Sequence, residues 1–309
     1  MLARLICSTP RGVTPLLQGA TVVGARARTL VDVPLGRRTT APTPPPPGEP
    51  TDAALYSVHS GVATITLNRP DNKNALSNEL VNAIGDHIAA AEADDAVRVV
   101  LLTNVGNTFC AGANLKGKAT VEPRHSLVDV LAAIADCAKP VVGRIAGHCT
   151  GGGVGLAAAL DISIVADEAL LGFTEVRLGV CPAVISVVCL PKLRRADASE
   201  LLLSGERITA SRAAAVGLIN YAVPSNQLND KVDEVIGKLV RGGPNALAAT
   251  KQLIARVPQM NRDDAFDWTA PLSAQLFRSD EAKEGIGAFR ERRDASWVPE
   301  DRQSGTGRA

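Results

Sequence analysis

The sequence predicts an α/β protein with a helical C-terminal part, and two observations carry that prediction. Between residues 97 and 166, short apolar runs rich in Val, Ile and Leu alternate with Ala-rich helical patterns, the order of a sheet with helical crossovers. Beyond Pro191 the pattern turns mostly helical. At 309 residues the chain is long enough to bury a sizeable core, as one large domain or two.

Residues 1–54 differ from the rest. Arg4, Arg11, Arg26, Arg28, Arg37 and Arg38 stand against one Asp and one Glu in residues 1–50, and the stretch ends in a proline tract, Pro44 to Pro47. The formal net charge of the whole chain is only +1, so the remainder is acidic on balance. Pro10 and Pro15 interrupt any long early helix, and the proline tract favours an extended linker. An Arg-rich, acid-poor N-terminus fits a mitochondrial transit peptide, which would place the protein in the matrix. The plainer alternative is a disordered extension, or a start site assigned too far upstream, on a cytoplasmic protein. The plainer alternative is favoured because Arg outnumbers Lys along the entire chain.

From Leu55 to Asn68 the residues alternate on both sides of Ser60-Gly61, which predicts a hairpin. Residues 69–73 read as loop, and Ser77 is placed to cap a helix running to about Ala93. A strand follows at 97–103, a helix at about 125–137, a strand at 140–146, a helix at 152–160 and a strand at 161–166. Helices are then expected at about 196–204, 210–216, 225–241, 243–256 and 261–293. The organisation expected is an extension over 1–54, a core over 55–255, a C-terminal helical region over 256–299 and a tail over 300–309.

Several function classes are excluded. No run is long and apolar enough to span a bilayer, and no basic, aromatic-studded surface follows the N-terminal segment, so nucleic acid is not the partner. The six cysteines form no C-x-x-C pair and no zinc-like spacing with the four histidines, so reduced thiols and no metal are expected. There is no Gly-x-Ser-x-Gly elbow, P-loop or complete Gly-x-Gly-x-x-Gly fingerprint, which removes hydrolase, ATPase and nicotinamide chemistry.

Two short segments point to chemistry. Thr150-Gly151-Gly152-Gly153 lies between the 140–146 strand and an Ala-rich helix. Glycines there allow close backbone approach, and a helix N-terminus offers unpaired N–H groups with partial positive charge. The second segment, Thr108-Phe109-Cys110-Ala111-Gly112-Ala113-Asn114-Leu115-Lys116, follows the 97–103 strand. Each alone is weak, since glycines at such turns often serve packing only. Together, two loops of this kind are able to aim one N–H each at a shared point, the requirement for stabilising a developing oxyanion.

The order strand, Phe-Cys-Ala-Gly-Ala-Asn-Leu-Lys, helix, strand, Gly-Gly-Gly, helix resembles the enoyl-CoA hydratase/isomerase (crotonase) family, from about Ala54 to Pro299. The resemblance implies a spiral of ββα units, with C-terminal helices that build homotrimers or hexamers. It implies an acyl-CoA thioester substrate, within fatty acid and lipid metabolism, with coenzyme A part of the substrate and no separate cofactor. The oxyanion donors it implies are the N–H groups of Ala113 and Gly152. Glu175, in Leu171-Gly172-Phe173-Thr174-Glu175-Val176-Arg177, aligns with one of the family's two catalytic glutamates. Its apolar, glycine-flanked setting would raise its pKa towards a useful range; the alternative is a surface residue paired with Arg177.

By the same resemblance, Asp71, Asn72 and Lys73 line a nucleotide pocket. Ala111, Asn114, Leu115, Lys116 and Gly151 flank the substrate, and Phe289 and Arg292 reach the CoA adenine and phosphate, often from a neighbouring subunit. For Phe289 and Arg292 a solvated mixed-charge helix face is the competing explanation. His148 is expected to be a packed histidine, and Cys110 and Cys149 ordinary core thiols.

The chain departs from the family at Gly155, where the best-known hydratases carry their second glutamate. Three outcomes stay open. Glu175 alone activates a water, as the match to bacterial enzymes resembling methylglutaconyl-CoA hydratases suggests; or it shuttles one proton in a Δ3-to-Δ2 enoyl-CoA isomerase; or the protein binds acyl-CoA without turnover. Hydration, making the protein a hydro-lyase, is the expectation. Thiol chemistry at Cys110 or Cys149 is a weaker rival.

Overall fold

The computed structural model describes residues 52–115 and 121–303. The hairpin forms as expected: β1 (Ala54–His59) pairs antiparallel with β2 (Val62–Leu67) across the Ser60-Gly61 turn. Helix α1 (Asn78–Ala93) starts at Ser77, whose hydroxyl accepts the N–H of Leu80. Then come β3 (Val99–Asn104), β4 (Thr108–Cys110), α2 (Leu127–Asp136), β5 (Val141–Ile145), β6 (His148–Thr150), α3 (Gly152–Ala159), β7 (Ile162–Ala166) and β8 (Leu170–Gly172). The chain continues through α4 (Ala183–Cys189), α5 (Arg195–Ser204), β9 (Arg207–Thr209), α6 (Ala210–Ala215) and β10 (Tyr221–Val223). It closes with α7 (Leu228–Leu239), α8 (Pro244–Arg256), α9 (Arg262–Phe277) and α10 (Asp280–Glu291).

Two sheets result. The larger runs β1-β2-β3-β5-β7-β10, parallel from β2 onward; the smaller runs β4-β6-β8-β9. The larger sheet is buried on both faces, as parallel sheets require. Alternate residues divide between them: Ala63, Ile65, Val100, Leu102, Val141 and Ile145 join the main core with α1, α2 and α3. Val62, Val99, Val142 and Ile164 turn the other way, onto Leu228, Val232, Val235 and Ile236 of α7. At about 25 cal/mol per Å² of apolar surface, this burial is the main stabilising contribution.

Two lysines from the C-terminal half tie back into the core. Lys251 on α8 reaches Asp161 Oδ2 at 2.6 Å and the carbonyls of Lys139 (3.1 Å) and Ile134 (3.3 Å), while Asp161 also accepts the Val141 N–H at 2.7 Å. Lys192 donates to the Leu160 carbonyl, at the C-terminal end of α3, over 3.2 Å.

The expectations need correction in two places. The helix expected over 261–293 is two helices, because Ser279 caps a new start by accepting the N–H of Ala282. The stretch beyond Pro191 also holds β9 and β10, three residues each and too short to show alternation. Among the described residues, no helix is long and apolar enough to cross a membrane.

Candidate active site

In the smaller sheet β4, β6 and β8 run parallel, with Cys110 beside Cys149, Cys149 beside Leu171, and Thr150 beside Gly172. Their C-terminal ends therefore share one edge, where ligands of parallel α/β sheets gather. The chain leaves β4 into the 111–115 segment, β6 into Gly151-Gly152 and β8 into Phe173-Thr174-Glu175. Three segments singled out in the sequence thus meet at one place.

The first segment is fixed by backbone bonds to the 71–76 loop. Ala111 N–H donates to the Lys73 carbonyl (3.1 Å), and Leu76 N–H donates to the Gly112 carbonyl (2.7 Å). The Thr150 hydroxyl ties it to the second segment, donating to the Ala111 carbonyl over 3.0 Å. Gly112 has φ +81°, and a Cβ there would lie 2.7 Å from the Thr150 oxygen and 3.2 Å from the Gly152 nitrogen. Only glycine lets these two segments touch.

Gly151 is the N-cap of α3, with φ +53° and its N–H donated to the Gly172 carbonyl (3.0 Å). Gly152 is the first helical residue, so its N–H has no acceptor within the helix. Among the described residues, neither Ala113 nor Gly152 donates a backbone hydrogen bond in the loops and turns. Ala113 is exposed and Gly152 half-buried.

Glu175 sits in a single 3₁₀ turn, Thr174–Leu178. A Cβ on Gly151 would stand 3.1 Å from its Oε1, so the carboxylate lies against the mouth of α3. Its Oε2 is buried and has no hydrogen-bond partner. Burial pushes the Glu175 carboxyl above its usual 4.5, and a hydrogen bond with its own backbone opposes the shift. Arg177 does not neutralise it: that guanidinium pairs with Glu206 at 3.8 Å and donates to the Ser204 carbonyl at 3.4 Å. Gly155, one turn further along α3, is buried beneath Ile185.

The remaining expected residues divide into two groups. Asp71, Asn72 and Lys73 lie in the turn that holds the first segment. Asp71 is exposed and pairs with Arg69 (3.5 Å), while Asn72 Oδ1 accepts the Ala75 N–H (3.2 Å). Asn114 is half-buried and Leu115 is 73% exposed beside Ala113. Lys116 lies outside the described residues. Phe289 is 84% exposed on α10, and Arg292 ends that helix with φ +55°, so the Phe289 ring faces solvent.

Asn74, which the sequence does not flag, anchors the first segment. It is fully buried; its Oδ1 accepts the Arg69 N–H (2.7 Å), and its Nδ2 donates to the carbonyls of Thr108 (2.8 Å) and Val105 (3.1 Å). Lys73 and Asn74 both have positive φ. The available signal was an Asn in a loop, a residue type that enters this conformation readily.

His148 and the thiols serve structure. His148 Nδ1 accepts the Leu170 N–H (3.0 Å). Burial raises the Cys110 pKa to about 12 and pushes Cys149 well above its usual range, so both stay neutral and unreactive. Among the described residues, no cluster of three or more His, Cys, Asp or Glu side chains is placed to hold a metal ion. A separate cleft of about 900 Å³ beside α1, lined by Asn82, Asp86, His87, Arg124 and His125, includes none of these residues.

Comparison with known proteins identifies the family and the fold. A family model described as enoyl-CoA hydratase/isomerase matches residues 57–300. An enoyl-CoA hydratase of Mycobacterium tuberculosis is 31% identical over 250 residues, 78% of this chain and 94% of that protein. The 2,3-dehydroadipyl-CoA hydratase of Escherichia coli is 30% identical over 244 residues, 77% of this chain and 96% of that protein. Among solved structures, an enoyl-CoA hydratase of Mycobacterium smegmatis superposes with a TM-score of 0.73 at 30% identity, covering 79% of this chain and 98% of its own.

Proposed function

Because the chain belongs to the enoyl-CoA hydratase/isomerase family, we propose that it adds water to a 2-enoyl-CoA thioester, using Ala113, Gly152 and a single carboxylate, Glu175. The observation that carries this reading is the position of Glu175, against Gly151 at the start of α3, with one buried oxygen unpartnered. Relatives named as hydratases support the reaction class.

The thioester carbonyl oxygen binds between the Ala113 and Gly152 N–H groups, with the partial positive charge of the α3 N-terminus behind them. Polarisation draws electrons from the double bond and makes Cβ electrophilic. Ionised Glu175 takes a proton from water as the water oxygen bonds to Cβ, and the π electrons move to Cα and the carbonyl as an enolate. The protonated carboxyl then delivers that proton to Cα, restoring the carbonyl and leaving Glu175 ionised. One group acts as base and then as acid, with atoms and charge conserved. The turn at Asp71, Asn72 and Lys73, bonded to the first segment, would receive the CoA moiety.

The same single carboxylate also suits proton transfer between carbons, the second reading. The purified protein is incubated with crotonyl-CoA and with 3-methylglutaconyl-CoA while conjugated-thioester absorbance is followed, with Glu175→Gln in parallel. Loss of absorbance is expected with the parent, and a rate at least ~100-fold lower with the variant. No loss with either substrate, together with a gain from a 3-enoyl-CoA, would replace hydration with isomerisation.

A further inference from the structure

Gly151, the N-cap of α3, and Gly155 lie one turn apart, joined by the Gly155 N–H donated to the Gly151 carbonyl over 3.2 Å. The Glu175 carboxylate lies against Gly151, and the side chain of Ile185, on α4, lies against Gly155. A Cβ on Gly155 would stand 2.3 Å from Ile185 Cγ2 and 2.7 Å from Ile185 Cβ, but 3.6 Å from its Cα. The second distance matters most. Cβ does not move with a rotamer, so no side-chain rearrangement at 185 relieves the overlap. Ile185 is 3% exposed, so it has no room at the surface into which to withdraw. The same helix carries Cys189, whose thiol is close enough to feel the charge on Glu175. At Gly155, then, α4 is pressed onto α3 with no room for a side chain on α3, one turn from the glycine that meets the candidate carboxylate.

We propose that Ile185 confines the site to one carboxylate: it occupies the volume into which any side chain at 155 projects. Ile185 thus acts on the site through position 155, by excluding a side chain there. The inference rests on the assignment of Glu175 as the acid/base. It adds that the missing second carboxylate is built into the packing of α3 on α4, so that substitution at 155 alone does not restore it.

The test is a cycle of parent, Gly155→Glu, Ile185→Gly and Gly155→Glu/Ile185→Gly, read by thermal unfolding. Glycine is needed at 185 because alanine keeps the Cβ that overlaps. Gly155→Glu alone is expected to lower the melting temperature by at least ~5 °C or to prevent folding. In the Ile185→Gly background the same substitution should cost much less, because the remaining contact is an ordinary 3.6 Å. The functional half is read from unfolding midpoints between about pH 4 and pH 8. Two adjacent carboxylates repel, so the double variant should lose stability more steeply than Ile185→Gly as pH rises; Cys189 and Lys192 nearby are common to all four proteins.

A Gly155→Glu protein as stable as the parent would overturn the proposal, as would an equal cost in both backgrounds. A double variant that folds but keeps the pH dependence of Ile185→Gly would overturn it too. None of these readouts needs turnover. An unchanged rate in Glu175→Gln would therefore sink the catalytic assignment separately from the packing one.

Discussion

Replacing Asn74 with Ala tests whether the first segment of the site is held from behind. The side chain makes three hydrogen bonds, to the Arg69 N–H and to the Val105 and Thr108 carbonyls, with no exposure to solvent. After truncation the Thr108 carbonyl keeps a partner, Asn104 Nδ2 at 3.3 Å, whereas the Arg69 N–H and Val105 carbonyl lose theirs. Both groups are only part-buried, so water offsets some of the loss, and two orphans at the low end of the range, roughly 1 kcal/mol each, give about 2 kcal/mol. Alanine at φ +52° adds about 1 kcal/mol. The expected total, ~3 kcal/mol, is a substantial part of the roughly 5–15 kcal/mol typical of a folded domain. Because Lys73 and Leu76 fix Ala111 and Gly112, a displacement of about 1 Å at Ala113 would lower kcat/KM on the order of a hundredfold. Urea unfolding with an unchanged m-value gives the first quantity, and the hydration assay, run where both proteins are folded, gives the second. A stability loss below about 1 kcal/mol with a parental rate would refute the claim that Asn74 holds the loop.

Thr150→Val keeps the shape of the side chain and removes only the bond to the Ala111 carbonyl. Stability should fall by about 1 kcal/mol, and kcat should fall more than KM rises, because the tie sets the spacing of the two donors; a change confined to KM would argue against that role. For Glu175 the folded-state pKa is raised by burial, so the fold gains from its protonation below about pH 4 and loses that gain as pH rises through the folded value. Glu175→Gln should therefore unfold at a higher temperature than the parent at neutral pH, with the gap closing in acid. The parent's kcat/KM should fall on the acid side at a pH above the ordinary glutamate value. A variant less stable than the parent at neutral pH would show that the carboxylate is a structural partner and not a strained functional group.

Much of this architecture was legible because long elements carry periodic patterns. The Ser60-Gly61 hairpin, the Ser77 cap and the strands at 99–104, 141–145 and 162–166 fall within a few residues of where alternation and apolar runs place them. The smaller sheet was not legible. β4, β6 and β8 have three residues each, too few to show a period, so their parallel pairing had to come from the three-dimensional packing. Glycines at 112, 151 and 152 marked the loops but not their contact. Asn74 went unnoticed because its role lies in bonds to residues 5 to 34 positions away. The Gly155 departure was visible as a letter, while its cause, Ile185, is thirty positions along the chain.

The two ends of α3 are treated differently by the rest of the chain. At its C-terminal end, where the carbonyls carry partial negative charge, the Lys192 ammonium sits on the Leu160 oxygen. At its N-terminal end no acidic side chain occupies the first turn. The helix behaves like a battery with its negative pole earthed by a lysine and its positive pole turned towards the carboxylate of Glu175, which lies against Gly151. Electrically, then, the candidate site extends beyond the loops that form it, and a lysine at the far end of an eight-residue helix belongs to the same circuit.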